Sequence, residues 1–289
     1  MAAWFSGRPD SWPRLGAIPM ILVNGVAAES IAATDRGLAY GDGVFRTLLL
    51  RKGRLSNWRR HFGKLAQDCA ALNLDCPTEA VLAGEVAQLA RQSPDAVIKI
   101  IITRGSGARG YALPQPSAPT RIVMSAELPN YPRENAFTGV KVHVCSTRLS
   151  VQPRLAGIKH LNRLENVLAR AEWDDPGVAE GLLLDAEGNV VGGTMTNLLI
   201  VEDGGLVTPA LTRCGVAGVT RERILEAARK SGMNCREENI PLARVIESQE
   251  AMLVNSIIGV WQIAGCAGRN WTAGTVTQRM REWLDDERD

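Results

Sequence analysis

Nowhere in these 289 residues do two of the six cysteines stand close enough to form a Cys-x-x-Cys pair. Cys69, Cys76, Cys145, Cys214, Cys235 and Cys266 are scattered, which argues against a disulfide framework or a zinc site and for reduced thiols in a cytoplasmic protein. The three histidines, His61, His143 and His160, lack metal-ligand spacing as well, so no metal is expected. No apolar run reaches the length of a membrane span, and no membrane partner is expected. An excess of one charge is also missing. Against 33 Lys and Arg stand 31 Asp and Glu, and no basic run interleaves with aromatics. That removes the electrostatic case for nucleic acid or an anionic surface. What remains, 45% hydrophobic and 22% charged residues, suits a globular enzyme with a small-molecule substrate.

Residues 1–19 mix Trp, Pro, Arg and Asp without the apolar stretch of a secretory signal. They read as a disordered extension, with the natural start expected at Met20. From there Met20 to Val23 followed by Asn24-Gly25 predicts a strand and hairpin turn. Val44 to Leu50 predicts a second strand after the glycine-rich Tyr40 to Gly43. Trp58 to Leu72 shows helical spacing, with Phe62, Leu65, Cys69 and Leu72 on one stripe. Val81 to Ala90 reads as a helix, and Val97 to Thr103 and Thr120 to Ala126 as strands. Residues 20–128 therefore form a small α+β domain. The stretch 129–138 is rich in Pro, Asn and charge and reads as a linker. Residues 139–289 form a larger domain. In it, Leu161 to Trp173 predicts a helix with Leu161, Leu164, Leu168 and Ala171 aligned, Arg221 to Lys230 a second, and Val276 to Leu284 a third. Strands fall at Val140 to Thr147, Gly181 to Asp185, Asn197 to Val201, Ala251 to Val254 and Gly259 to Ile263.

Four segments carry chemistry suited to an anionic ligand. Gly218-Val219-Thr220 precedes an apolar-striped helix, where free backbone N–H groups and a hydroxyl suit a phosphate, though Thr220 also serves as a plain helix cap. Gly192 to Asn197 joins two strands with small residues and hydroxyls that let backbone approach a ligand, or else form an irregular hairpin edge. Arg104 and Arg109 lie in a glycine-rich loop and can fork onto a carboxylate, or stand solvated. Lys159 follows an apolar residue and has no acidic neighbour in sequence. A lysine so placed can lose its proton and act as a nucleophile, although local spacing alone favours a surface lysine.

The order of these segments resembles the fold-type IV pyridoxal-phosphate enzymes, the branched-chain and D-amino-acid aminotransferase-like family. The resemblance runs from Met20 to the C-terminus. It is carried by Asp35-Arg36-Gly37 leading to Gly41-Asp42-Gly43-Val44-Phe45, by Arg109-Gly110-Tyr111, by Thr196-Asn197-Leu198, by Gly215 to Arg221 and by Asn255-Ser256. Within the family, Lys159 to Glu165 and Arg104 to Tyr111 resemble the aminodeoxychorismate lyases.

The resemblance implies a two-domain fold with a mixed sheet or barrel core in the larger domain, and a homodimer. It implies pyridoxal 5′-phosphate held as a Schiff base on Lys159, which also moves the proton during turnover. Val219 and Thr220 would contact the phosphate, with Thr196, Asn197, Asn255 and Ser256 on neighbouring cofactor turns. Arg109, Arg46 and Phe45 would meet the substrate. Two positions depart from the family pattern. Lys64 stands where an arginine grips the phosphate, and loses the bidentate fork. Gly192 stands where a glutamate keeps the pyridine nitrogen protonated, which weakens the ring as an electron sink. The implied reaction, conversion of 4-amino-4-deoxychorismate to 4-aminobenzoate and pyruvate in folate biosynthesis, gains driving force from an aromatic product and tolerates a weaker sink. An aminotransferase of the same fold and a non-catalytic relative are the alternatives.

Overall fold

The computed structural model describes residues 20–286, so the extension expected over 1–19 lies outside the described residues. In the first part of the chain, β1 (Ile21–Val23) and β2 (Val26–Ala27) are followed by α1 (Arg36–Tyr40), β3 (Gly43–Arg51), β4 (Arg54–Leu55), α2 (Trp58–Ala71), α3 (Glu79–Ala90), β5 (Ala96–Thr103) and β6 (Thr120–Ala126). The expected hairpin is present: Val23 pairs with Val26 across Asn24 and Gly25, both at positive φ (51° and 84°). Asn and Gly tolerate that conformation, which matches the twist of the flanking strands. The six strands form an antiparallel sheet in the order β2-β1-β6-β5-β3-β4.

Alternation sets the faces of this sheet. On β3, Val44, Leu48 and Leu50 point beneath α2, and on β5 Ile98, Ile100 and Ile102 do the same. The α2 stripe meets them: Leu65 and Cys69 are buried, while Phe62 and Leu72 pack at the margin. Arg46 shares that inward face and is the one cation among these β3 positions. Phe45 and Thr47 lie on the opposite face.

The second part holds α4 (Glu134–Phe137), β7 (Val140–Leu149), α5 (Leu164–Arg170), β8 (Val178–Asp185), β9 (Val190–Gly193), β10 (Asn197–Glu202), β11 (Gly205–Pro209), α6 (Val219–Lys230), β12 (Cys235–Glu238), α7 (Leu242–Glu247), β13 (Glu250–Asn255), β14 (Gly259–Cys266), β15 (Arg269–Asn270) and α8 (Thr275–Asp286). The stretch expected as a plain linker thus contains one helical turn, α4, whose Ala136 packs against the larger core.

The second sheet runs β12-β11-β10-β13-β14-β7-β8-β9, with β15 on β14. It is mixed: β7 is parallel to β8 and β14, and β11 to β12, while the other pairs are antiparallel. Gly193 N–H donates to the Thr196 carbonyl (2.8 Å), drawing the end strand β9 back toward β10 and curling the sheet toward a barrel. β10 is apolar on both faces for this reason. Leu198 and Ile200 fill the inner core, and Leu199 and Val201 meet α6 and α8 outside.

The stripe on α5 does not face a core. Leu164 is 70% exposed, Val167 61% and Leu168 55%, and only Ala169 of that helix is buried. The helix is also shorter than its periodicity suggested: it begins at Leu164, and Leu161 N–H is bound to the Gly43 carbonyl on β3.

Candidate active site

The two sheets meet at the segment around Lys159. Phe45 N–H donates to the Lys159 carbonyl (2.9 Å) and Leu161 N–H to Gly43 (3.0 Å), so this segment lengthens the edge of β3. On its other side Gly157 N–H donates to Gly215 (3.0 Å) and Ala217 N–H to Gly157 (3.0 Å). Lys159 N–H also donates to Asp68 Oδ2 (3.1 Å), a buried carboxylate on α2 that pairs with Arg46. Backbone from both parts of the molecule therefore fixes the lysine at their junction.

A cavity of about 610 Å³ opens there. Burial pulls the Lys159 amine down to about 7, helped by the cations of Arg163, Arg46 and Lys99. Its Nζ lies 4.5 Å from the centre of the Phe45 ring, a contact that favours the charged form but loses to desolvation. At neutral pH a large fraction of this amine is unprotonated and nucleophilic.

One wall is the start of α6. Among the described residues no side chain caps its first turn, so the free N–H groups of a helix N-terminus face this end of the cavity. Thr220 Oγ and Ser256 Oγ lie 3.3 Å apart beside them. Asn255 Oδ1 accepts from Ile257 N–H (2.8 Å) and Ile258 N–H (2.9 Å), which shapes the turn that presents Ser256. Asn197 Nδ2 donates to the Val216 carbonyl (2.8 Å), tying β10 to the loop before α6. A Cβ on Gly218 would come within 2.2 Å of Asn197 Oδ1, so this approach needs a glycine.

Another wall is the turn from Gly192 to Thr196. Glu180, 1% exposed on β8, accepts from Thr194 N–H (3.1 Å), Met195 N–H (3.1 Å), Thr196 Oγ (3.0 Å) and Thr194 Oγ. Among the described residues it is the single acidic residue lining the cavity, against Arg46, Lys159, Arg163 and Arg170. The space can therefore hold a ligand of several negative charges.

Of the residues singled out in the sequence, Phe45, Arg46, Lys159, Gly192, Thr196, Asn197, Val219, Thr220, Asn255 and Ser256 all line this one cavity. Lys64 and Arg109 do not. The Lys64 ammonium lies 3.5 Å from Gln67 Oε1 on the outer side of α2. Arg109 is exposed in its loop. Arg104 is consumed inside the small sheet's support, where its Nε pairs with Asp42 (2.8 Å) and its Nη atoms donate to the carbonyls of Asn73 and Leu72. Sequence reasoning assigned no role to Asp68, Glu180, Arg163, Arg170 or His61. The first two carry a signal, being acids in otherwise buried stripes, but nothing local points to their partners.

The model of the amino-transferase class IV family matches residues 43–266. The chain is 32% identical over 266 residues to the aminodeoxychorismate lyase of Vibrio harveyi, covering 91% of this chain and 98% of that protein. It superposes on the crystal structure of 4-amino-4-deoxychorismate lyase from Pseudomonas aeruginosa with a TM-score of 0.89 and 43% identity, covering 92% of this chain and 98% of that one. A D-alanine aminotransferase of Listeria monocytogenes is 26% identical over 278 residues, covering 92% and 95% of the two chains.

Proposed function

The chain belongs to the amino-transferase class IV family, and on that premise we propose that it is a pyridoxal-phosphate lyase converting 4-amino-4-deoxychorismate to 4-aminobenzoate and pyruvate. The observation that carries this reading is the Lys159 amine, lowered to about 7, in a cation-lined cavity beside an uncapped helix start. Those features fit a phosphorylated aldehyde: an amine to hold it, and N–H groups and hydroxyls to take its phosphate. The likeness to two lyases, one at 43% identity, favours the lyase over its aminotransferase cousins.

When bound, pyridoxal phosphate supplies an electron-accepting ring that makes the proton on the amine-bearing carbon removable. The protein does the rest. Val219, Thr220 and Ser256 would hold the phosphate, and Thr196 and Asn197 would contact the rest of the cofactor. Lys159 Nζ takes the proton from the amine-bearing carbon, and the enolpyruvyl group departs from the neighbouring ring carbon as the ring becomes aromatic. A proton delivered to the departing methylene completes pyruvate. Arg163 and Arg170 line the cavity without carboxylate bridges among the described residues, and they receive the two substrate carboxylates. Arg109 is exposed and lines no part of the cavity, and Arg46 comes from beneath α2 beside His61, so we assign the carboxylate role expected of them to these two.

We place the enzyme in the cytoplasm as a homodimer. Six free cysteines fit a reducing compartment, and no described helix is long and apolar enough to cross a membrane. Val167 and Met195 line the cavity yet are 61% and 45% exposed, and Leu164 and Leu168 extend the same apolar surface. A second copy covering α5 completes that wall.

The test supplies 4-amino-4-deoxychorismate and follows 4-aminobenzoate and pyruvate together; equimolar release is expected. Accumulation of pyridoxamine phosphate from an amino-acid donor, without 4-aminobenzoate, makes the chain an aminotransferase instead.

A further inference from the structure

Two cations given different roles from the sequence stand in different surroundings. Lys64, the expected phosphate cation, points to Gln67 outside the cavity. Arg46, the expected substrate arginine, comes off the inward face of β3 and is 3% exposed. Its Nη2 donates to Asp68 Oδ2 and to the Lys64 carbonyl (3.3 Å). Its buried Nε has no hydrogen-bond partner among the described residues. The neighbouring His61, 4% exposed on α2, also lines the cavity with a buried Nδ1 that has no partner among the described residues.

Both orphaned nitrogens lie where α2 approaches α6. Arg60 on α2 bridges to Glu226 on α6 through two contacts of 2.9 and 2.7 Å. Glu222, in the first turn of α6, acts on the Arg46 charge. Arg46 and His61 line the same cavity as Val219 and Thr220, the first residues of α6. Buried polar atoms without partners are costly, and two beside one helix N-terminus call for an acceptor with several oxygens. Burial and the nearby cations Arg46, Lys159 and Arg223 hold the His61 ring down to about 3, so it meets a ligand neutral, as a hydrogen-bond donor.

We infer that in this chain Arg46, assisted by His61, grips the cofactor phosphate in place of Lys64. The inference rests on the cofactor reading above. Asp68 is the positioning residue: it holds one guanidinium nitrogen and leaves Nε free, while its second contact, to Lys159 N–H, ties that orientation to the lysine.

The test compares the binding of pyridoxal phosphate, of pyridoxal and of inorganic phosphate as a competitor, read by cofactor absorbance on the full chain. Arg46→Gln is expected to weaken pyridoxal phosphate by about ten- to a hundred-fold, the loss of charge-assisted hydrogen bonds. Pyridoxal, which lacks the phosphate, should change by no more than about two-fold, and inorganic phosphate should compete less well than in wild type. Lys64→Ala should leave pyridoxal phosphate affinity within about two-fold. Arg46→Lys keeps a charge for Asp68 while losing the fork, and it carries the test if the glutamine variant fails to fold; a loss confined to the phosphorylated ligand is again expected. Equal weakening of both aldehydes by either Arg46 variant overturns the inference, as does a ten-fold loss on Lys64→Ala. A wild-type chain that binds pyridoxal but gains nothing from the phosphate also overturns it. Failure of the wild type to bind either aldehyde sinks the cofactor reading itself, so the two failures are separate.

Discussion

The two ends of the cavity are built from different materials. At the α6 end the donors are backbone N–H groups, two hydroxyls, a guanidinium and a neutral imidazole, with unused hydrogen-bonding capacity. At the Gly192 end the one carboxylate, Glu180, is already engaged by the backbone and hydroxyls of the turn it supports. The first end is open to an anion. The second is satisfied within itself, and presents a finished surface. The acid that orders the turn beyond Gly192 comes from β8.

The largest test of the comparison removes what both ends share. Lys159→Ala should abolish attachment fixed by borohydride, read by mass spectrometry, and lower turnover by about a thousand-fold or more. Retained attachment at another lysine breaks the scheme. Next in size is pH. With the amine lowered to about 7, the rate of cofactor attachment should fall roughly ten-fold per pH unit below that value and flatten above it. The depressed folded-state value also means that the unfolded chain binds more protons between about 7 and the ordinary lysine range. The cofactor-free protein should therefore lose stability as pH falls across that window, and lose no more from this group below it.

Three smaller effects separate the ends. Glu180→Gln leaves turn donors underserved and should cost about 1–3 kcal/mol in denaturant unfolding, while the competition by inorganic phosphate stays unchanged. Loss of phosphate competition there would show that the ends are coupled. Gly192→Glu, which restores the family's usual residue, places a Cβ 2.8 Å from the Thr196 carbonyl. It should lower stability by about 1–3 kcal/mol, as overpacking does, and leave turnover without a large gain. A gain of several orders of magnitude would mean that the electron sink, not the turn, limits the reaction. Ser256→Ala, at the other end, removes one hydroxyl and should weaken pyridoxal phosphate by about five-fold with little change in pyridoxal binding.

Much of the fold was legible in the sequence, because it rests on local periodicity. The Asn24-Gly25 turn, the α2 stripe at Leu65 and Cys69, and the doubly apolar β10 follow from rules acting over a few residues. Periodicity failed at α5, where Leu164 and Leu168 mark an apolar stripe without saying whether a core or another surface covers it. It also passed over Asp68 and Glu180, whose work depends on Arg46 and on Thr194 to Thr196, residues distant in sequence.

Lys159 shows the same division. Its local spacing alone favoured a surface residue; the order of the surrounding motifs identified it as a reactive amine. The sequence by itself determined most of the strands, a helix following Gly218 to Thr220 and the set of groups available to an anionic cofactor. Only the tertiary structure decided which cation stands by that helix and which turns away. The reason is that a side chain's face on a strand or helix is local, whereas the charge and burial it meets there are supplied by the rest of the fold.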